Sequence, residues 1–122
     1  MLKVFNRDGK INFVDDKNTL VGYDMNRKCC EMADWGFSRD PLAREGRKDL
    51  PQEILDKMVF NVDVCIKQSI YNDNGTTTKL VSFALVGELE TWYLVLSNCH
   101  NGYYSHGFSM DVAGERAKEG AL

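Results

Sequence analysis

The stretch FNVDVCIKQSIYNDNGTTTKLVSFALVGE, residues 60–88, decides the fold because it joins two strand patterns through a turn. From Phe60 to Lys67 apolar and polar residues alternate, which is typical of a half-buried strand. The Asn74-Gly75 dipeptide predicts a hairpin turn, since glycine accepts a positive φ. The run 79–88 is nearly all apolar and predicts a central strand covered on both faces. The alternation predicts two faces on the first strand: Phe60, Val62, Val64 and Ile66 on one, Asn61, Asp63, Cys65 and Lys67 on the other.

Shorter strand patterns flank this hairpin on both sides. Residues 2–5, 11–14 and 19–24 predict three strands, with Asp8-Gly9 as the turn between the first two. Residues 92–97 and 103–110 predict another hairpin, with Asn101-Gly102 in its turn. The expected fold class is therefore α+β or mostly β: a twisted antiparallel sheet of about six or seven strands with one or two short helices.

The 122 residues suit a single domain. Weak periodicity predicts a loop or helical insertion at 25–57, in which QEILDKM forms a helix after Pro51. The end of the chain, 111–122, is predicted to be a tail or a short helix. The acidic pairs in VDD, 14–16, and ELE, 88–90, fall in predicted turns and are interpreted as solvated charges.

Charge and hydropathy exclude several classes of protein. A net charge of -3 argues against a DNA or RNA binder with a basic face. No apolar run approaches the roughly 20 residues of a membrane span, and the first residues lack the pattern of a signal peptide. We therefore expect a cytoplasmic protein without a membrane partner, in which the four cysteines are thiols.

The cysteines and histidines do not have the spacing of a metal site or of a catalytic set. Cys29, Cys30, Cys65 and Cys99 contain no C-x2-C pair, so no zinc site is predicted. Cys99 with His100 or His106 could form a thiolate pair, but adjacent residues rarely face each other. The cysteines are interpreted as small buried apolar residues. The sequence predicts no catalytic residue, no metal and no cofactor.

Aromatic and cationic residues outside the obvious core positions indicate recognition of a small ligand. An aromatic face stacks a nucleobase, and arginine binds phosphate. The alternative for each residue is that the aromatics fill the core and the cations solvate its rim. The aromatic candidates are Trp35, Phe37, Tyr103, Tyr104 and Phe108, and the cationic ones are Arg27, Lys28, Arg39 and Arg116.

Two segments resemble a known group of proteins. VGYDMNRKCCEMADWGF, 21–37, and WYLVLSNCHNGYYSHGFSM, 92–110, are similar to small phage and prophage proteins, and among these to the Thoeris anti-defence sponge family. The resemblance implies that the chain sequesters a cyclic ADP-ribose signal made by bacterial TIR enzymes, without cleaving it. It also implies a homo-oligomer, a dimer or larger, with ligand pockets between subunits.

Within this hypothesis the chemistry of the side chains suggests their roles. Trp35, Tyr103 or Tyr104 would stack the adenine of a cyclic ADP-ribose-type or cyclic nucleotide signal, and Arg27, Arg39 or Arg116 would hold its pyrophosphate. Asn101 would contact a base edge or a ribose hydroxyl, and His106 shares a predicted strand face with Tyr104. Two alternatives stay open: a protein–protein inhibitor of a host defence complex, such as an anti-CRISPR, and a small enzyme that uses Cys99 or His106.

Overall fold

Two antiparallel sheets form the protein in a computed structural model that describes residues 1–43 and 49–122. The elements are β1 Lys3–Arg7, β2 Lys10–Val14, β3 Thr19–Asp24, β4 Met32–Ser38, α1 Gln52–Leu55, β5 Val59–Tyr71, β6 Thr77–Val86, β7 Thr91–His100, β8 Gly107–Val112 and β9 Glu115–Ala121. One sheet has the order β1-β2-β3-β8-β9 and the other has β4-β7-β6-β5. The predicted class, mostly antiparallel β with little helix, is confirmed. The described ranges hold nine strands in two sheets, rather than six or seven in one.

The two sheets pack face to face, and one cluster of buried side chains lies between them. Phe13 of the five-stranded sheet meets Trp35 of the four-stranded sheet edge-on, with 5.0 Å between ring centroids. Phe83 and Phe108 make a second contact between the sheets, at 6.1 Å. Strand alternation accounts for the core, because every second residue of the inner strands points to the other sheet. The core contributors of the inner strands include Ile11, Val21, Tyr23, Met110, Val81, Leu85, Leu94 and Leu96.

The hairpin and the central strand predicted from residues 60–88 are both present. β5 pairs with β6 across the turn at Gly75, whose φ is +84°. β6 is buried on both faces, since Val81 and Phe83 point into the core while Leu80 and Ser82 are buried on the outer side. Ser82 donates its hydroxyl to the carbonyl of Pro41, so the segment after β4 covers that outer side.

A bulge in β5 overturns the predicted faces of that strand. Asn61 pairs with Ala84, but the next pair in the ladder is Cys65 with Phe83. The three intervening residues shift the alternation, and Cys65 and Lys67 now lie on the same face as Phe60. Cys65 accordingly packs against the core, and the Lys67 ammonium lies 5.6 Å from the centroid of the Phe108 ring.

Two segments that were predicted to lie outside the sheet form strands, one in each of the two sheets. The range 25–57 is not a loop or helical insertion throughout, because it contains β4, an edge strand paired with β7. The predicted helix after Pro51 is present as the short α1, while 44–48 fall outside the described residues. The range 111–122 is neither tail nor helix, since β9 pairs with β8. β9 is rich in charged residues, which is why its pattern does not resemble a buried strand.

The predicted hairpin of residues 92–97 with 103–110 is wrong. β7 extends to His100 and pairs with β4 and β6, whereas β8 begins at Gly107 and pairs with β3 and β9. Residues 101–106 therefore carry the chain from one sheet to the other, and Tyr103, Tyr104 and His106 do not lie on a strand. The predicted alternation of their side chains does not apply.

Asp15 joins the two sheets at a position that was interpreted as a solvated turn. Its side chain is buried, with 6% of the residue exposed. Oδ1 accepts the N–H groups of Lys17 at 3.0 Å and Thr19 at 2.9 Å, which shapes the turn between β2 and β3. Oδ2 accepts the N–H of Phe60 in β5 at 2.8 Å. One carboxylate therefore fixes a turn of the first sheet to a strand of the second.

Candidate functional site

A buried carboxylate and a buried imidazole face each other where the segment before β4 meets the crossing at 101–106. The side chains of Glu31 and His106 have no solvent exposure. Glu31 Oε1 accepts the N–H groups of Lys28 at 2.7 Å and Cys29 at 2.8 Å, because the bend at 28–31 turns both donors toward one oxygen. The carboxylate therefore has a fixed orientation.

The His106 ring is oriented from the other side. Its Nδ1 lies 2.6 Å from the carbonyl oxygen of Asp24. A carbonyl can only accept, so Nδ1 carries the proton and donates it. Nε2 then points at Glu31 Oε2 across 3.7 Å, too far for a direct hydrogen bond. Both Oε2 and Nε2 are buried without a hydrogen-bond partner among the described residues.

Contacts between backbone and side chains hold the crossing against the segment before β4. Asn98 donates its Nδ2 to the carbonyl of Tyr104 at 2.9 Å. Lys28 donates its Nζ to the carbonyl of Ser105 at 2.7 Å. The positions of Glu31 and His106 are thus determined by the strand end at Asp24, by β7 and by these cross-links.

Glu31 is ionised at neutral pH. Burial by itself raises the pKa of the Glu31 carboxyl, but the N–H groups of Cys29 and Lys28 outweigh it. The pKa of Glu31 consequently lies below the ordinary range of a glutamate. The pair thus places a buried negative charge beside an imidazole nitrogen.

This pair lines a cavity of about 450 Å³, within the range of small-molecule sites. Arg27 contributes a guanidinium to the same cavity, and its Nε donates to the carbonyl of Cys29 at 2.9 Å. The apolar part of the cavity wall is formed by Met25, Met32 and Ala33. Asp34 adds a second carboxylate to the lining. A ligand in this cavity meets a cation, an anion and a ring nitrogen.

A second cavity of about 280 Å³ shares Glu31 and Met32 with the first. It is lined also by Tyr104, Asn101 and His100. His100 Nδ1 accepts the N–H of Gly102 at 2.9 Å. Burial, together with the nearby Lys79, lowers the pKa of the His100 imidazole. The ring is therefore neutral at neutral pH, with its proton on Nε2.

Four of the eight predicted ligand residues lie at these cavities, and four lie elsewhere. Arg27 and His106 line the first cavity, and Asn101 and Tyr104 line the second. Trp35 is instead half-buried against Phe13, and the exposed Tyr103 lies in the crossing.

Arg39 and Arg116 are engaged by acidic side chains away from the two cavities. Arg39 pairs with Glu90 at 2.8 Å and lies 4.8 Å from the centre of the Trp92 ring. Arg116 pairs with Asp111 and Glu119 beside a groove on the five-stranded sheet. The three predicted arginines are thus at separate places, and only Arg27 is near the buried pair.

Sequence reasoning missed Glu31, the residue that organises the site. It lies in the segment 21–37 that carries the resemblance, and the sequence assigns it no role. A single glutamate in an aperiodic segment carries no signal of burial, since its partner His106 is far away in the chain. The proximity of Glu31 and His106 follows only from the way β3, β4 and β8 are arranged in the two sheets.

Neither a protein-family model nor a curated protein nor a solved structure matches the chain. The resemblance to the sponge family therefore stays a prediction. In residues 1–43 and 49–122, no helix is long and apolar enough to cross a membrane. The same ranges contain no group of three or more histidine, cysteine or acidic residues arranged to hold a metal ion.

Proposed function

We propose that the protein is a binding protein that captures a small nucleotide signal of the cyclic ADP-ribose type in the cavity around Glu31 and His106. The observation that carries this proposal is a pair of buried polar atoms on two residues that line the cavity: Glu31 Oε2 and His106 Nε2 have no hydrogen-bond partner among the described residues. Buried polar atoms are nearly always hydrogen-bonded in folded proteins, so this pair is suited to a ligand.

The two atoms match the vicinal hydroxyls of a ribose. One hydroxyl donates to the carboxylate oxygen, and its neighbour donates to the ring nitrogen, 3.7 Å away from that oxygen. The negative charges of Glu31 and Asp34 disfavour a phosphate at this end of the cavity. Arg27 therefore receives the phosphate group, through charge-assisted hydrogen bonds.

The second cavity lies beside the first cavity and can hold the base of the nucleotide. Tyr104 supplies an aromatic ring, and Asn101 supplies an amide that can contact a base edge. Glu31 lines both cavities, so a ligand bound to its carboxylate lies at their common wall. We assign the stacking role to Tyr104 rather than to Trp35, which packs in the core.

Capture without cleavage is the favoured mode, because the contacts of Cys99 among the described residues are with Thr76 and Asn72 and not with a base. The Cys99 thiol donates to Thr76 Oγ1 at 3.5 Å, and Asn72 Nδ2 donates to Cys99 at 3.8 Å. Nucleophilic cysteines need an adjacent base or a cationic neighbour to form the thiolate. We further propose that the protein acts in the cytoplasm and that it is a homo-oligomer. Gel filtration tests the oligomeric state.

Isothermal titration with cyclic ADP-ribose and its cyclised isomers tests the proposal. Glu31→Gln and Arg27→Ala should each weaken binding by roughly tenfold or more, because each removes a charged partner of the ligand. Arg39→Ala is the matched control, an exposed arginine away from the cavity, and should leave the affinity unchanged. Mass spectrometry of ligand released by heat should recover it intact. Absence of binding to the wild-type protein, or recovery of a hydrolysed product, contradicts the proposal.

A further inference from the structure

The two adjacent thiols of Cys29 and Cys30 lie side by side on the surface. Their sulfur atoms are 3.2 Å apart, and both residues are exposed. The sequence-based interpretation of these cysteines as buried apolar residues is therefore wrong for this pair. Adjacent side chains on a strand point to opposite faces, but here the bend at 28–31 brings them together.

Hydrogen bonds fix the backbone that presents the pair. The N–H of Cys29 donates to Glu31 Oε1 at 2.8 Å, and its carbonyl accepts from Arg27 Nε at 2.9 Å. The neighbouring Cys29 thiol raises the pKa of the Tyr104 hydroxyl in the crossing. The two sulfurs are thus held in proximity before any ligand arrives.

This geometry disfavours a disulfide between the two sulfurs. A disulfide bond requires a sulfur–sulfur distance of about 2.0 Å and Cα atoms about 4.4–6.8 Å apart. Adjacent residues joined by a trans peptide have Cα atoms only about 3.8 Å apart, so the closed ring is strained. A larger atom bonded to both sulfurs leaves them near their present separation.

We propose that Cys29 and Cys30 form a chelating dithiol site for a trivalent arsenical. Both thiols react with a compound of the type R–As(OH)2, forming two As–S bonds and breaking two As–OH bonds. The two thiol protons leave with the two hydroxyl groups as water, and arsenic stays trivalent. The reaction needs no oxidant and adds no charge to the surface beside Glu31. Cys30 lines the second cavity and so adjoins the nucleotide site, but the adduct forms without nucleotide, so either proposal can fail without the other.

The preorganised pair makes the adduct resistant to monothiols. Once one As–S bond has formed, the second thiol attacks at a high effective concentration, which raises the apparent affinity by roughly 10²–10⁴-fold. A competing monothiol must displace both sulfurs, whereas a small dithiol reverses the adduct by chelating the arsenic itself.

Phenylarsine oxide is the probe, and intact-protein mass spectrometry is the measurement. The wild-type protein should gain one C6H5As group in place of its two thiol hydrogens, since the oxygen of the reagent leaves as water. Release of half the adduct should require about 10²-fold more 2-mercaptoethanol than it does for Cys29→Ser or Cys30→Ser. Both cysteines are exposed, so the serine variants should keep the circular dichroism spectrum of the wild type.

Cys99→Ser and Cys65→Ser are the controls. Cys99 matters most, because it lines the same cavity as Cys30 and offers that residue another partner. Both control variants should retain the resistant adduct. Loss of resistance in Cys99→Ser overturns the assignment in favour of a Cys30–Cys99 chelate. A resistant adduct in Cys29→Ser, or none in the wild type, overturns it as well.

Discussion

Replacing Asp15 should cost more stability than replacing any ordinary turn residue, because its carboxylate accepts three backbone N–H groups. In Asp15→Asn, Oδ1 keeps the donors Lys17 and Thr19, while an NH2 group replaces Oδ2 and faces the N–H of Phe60. One charge-assisted hydrogen bond is lost and one buried N–H is left unpaired, which costs about 2–3 kcal/mol. Asp15→Ala removes all three acceptor contacts and should cost about 4–5 kcal/mol.

Urea unfolding, followed by tryptophan fluorescence and circular dichroism, measures these differences. For a chain of this length, 1 kcal/mol corresponds to about 4 °C in Tm, so Asp15→Asn should lower Tm by about 8–12 °C. Asp16→Asn is the matched control, since Asp16 is exposed and pairs only with the amino group of Met1 among the described residues. That change should stay within about 0.5 kcal/mol. If Asp15→Asn behaves like Asp16→Asn, the carboxylate does not join the sheets in the way described.

Two further predictions concern the buried pair and the packing of β9. The pKa of Glu31 is lowered in the folded state. Its ionised form therefore stabilises the fold at pH values above the ordinary pKa range of a glutamate. This contribution is lost as the pH falls through the lowered pKa. The stability difference between wild type and Glu31→Gln should therefore shrink on acidification in urea titrations over a pH series, and a difference that is constant with pH contradicts this. Gly120→Ala should cost about 1–3 kcal/mol, because the new Cβ would lie 2.9 Å from the Phe108 ring. Gly107→Ala, whose Cβ would meet only a backbone oxygen at 3.8 Å, should be close to neutral, and equal costs in thermal unfolding would count against the packing argument.

Strands with a clear apolar pattern could be predicted from the sequence, and strands without one could not. The hairpin of β5 and β6 was predicted because alternation, a turn dipeptide and an apolar run agree over residues 60–88. β9 was missed because its side chains are mostly charged. The segment is a strand because it pairs with β8, and its composition does not indicate this. The bulge in β5 was missed since three extra residues leave no mark on an alternating pattern.

The site was predictable to the extent that its chemistry is local. The segment 101–106 was singled out for its residue types, and Tyr104 and His106 do lie at cavities. Its predicted geometry was wrong, because a turn signal does not say which strand the chain joins next. Glu31 and Asp15 show the same limit, since a carboxylate in an aperiodic segment looks solvated until the distant N–H groups or rings that enclose it are known.

The pairing of β3 with β8 has a consequence for how the protein folds. Thr19 lies opposite Val112, so the five-stranded sheet cannot close until strands from both ends of the chain have met. Until then the apolar side of the β1–β3 meander, which carries Phe13 and Tyr23, is open to water and to other chains. Pairings between residues so distant in sequence close slowly, typically in milliseconds to seconds, and leave partly folded chains prone to aggregation. During synthesis we therefore expect the first three strands to need protection by a chaperone. This holds even though their meander is the simplest local structure in the protein.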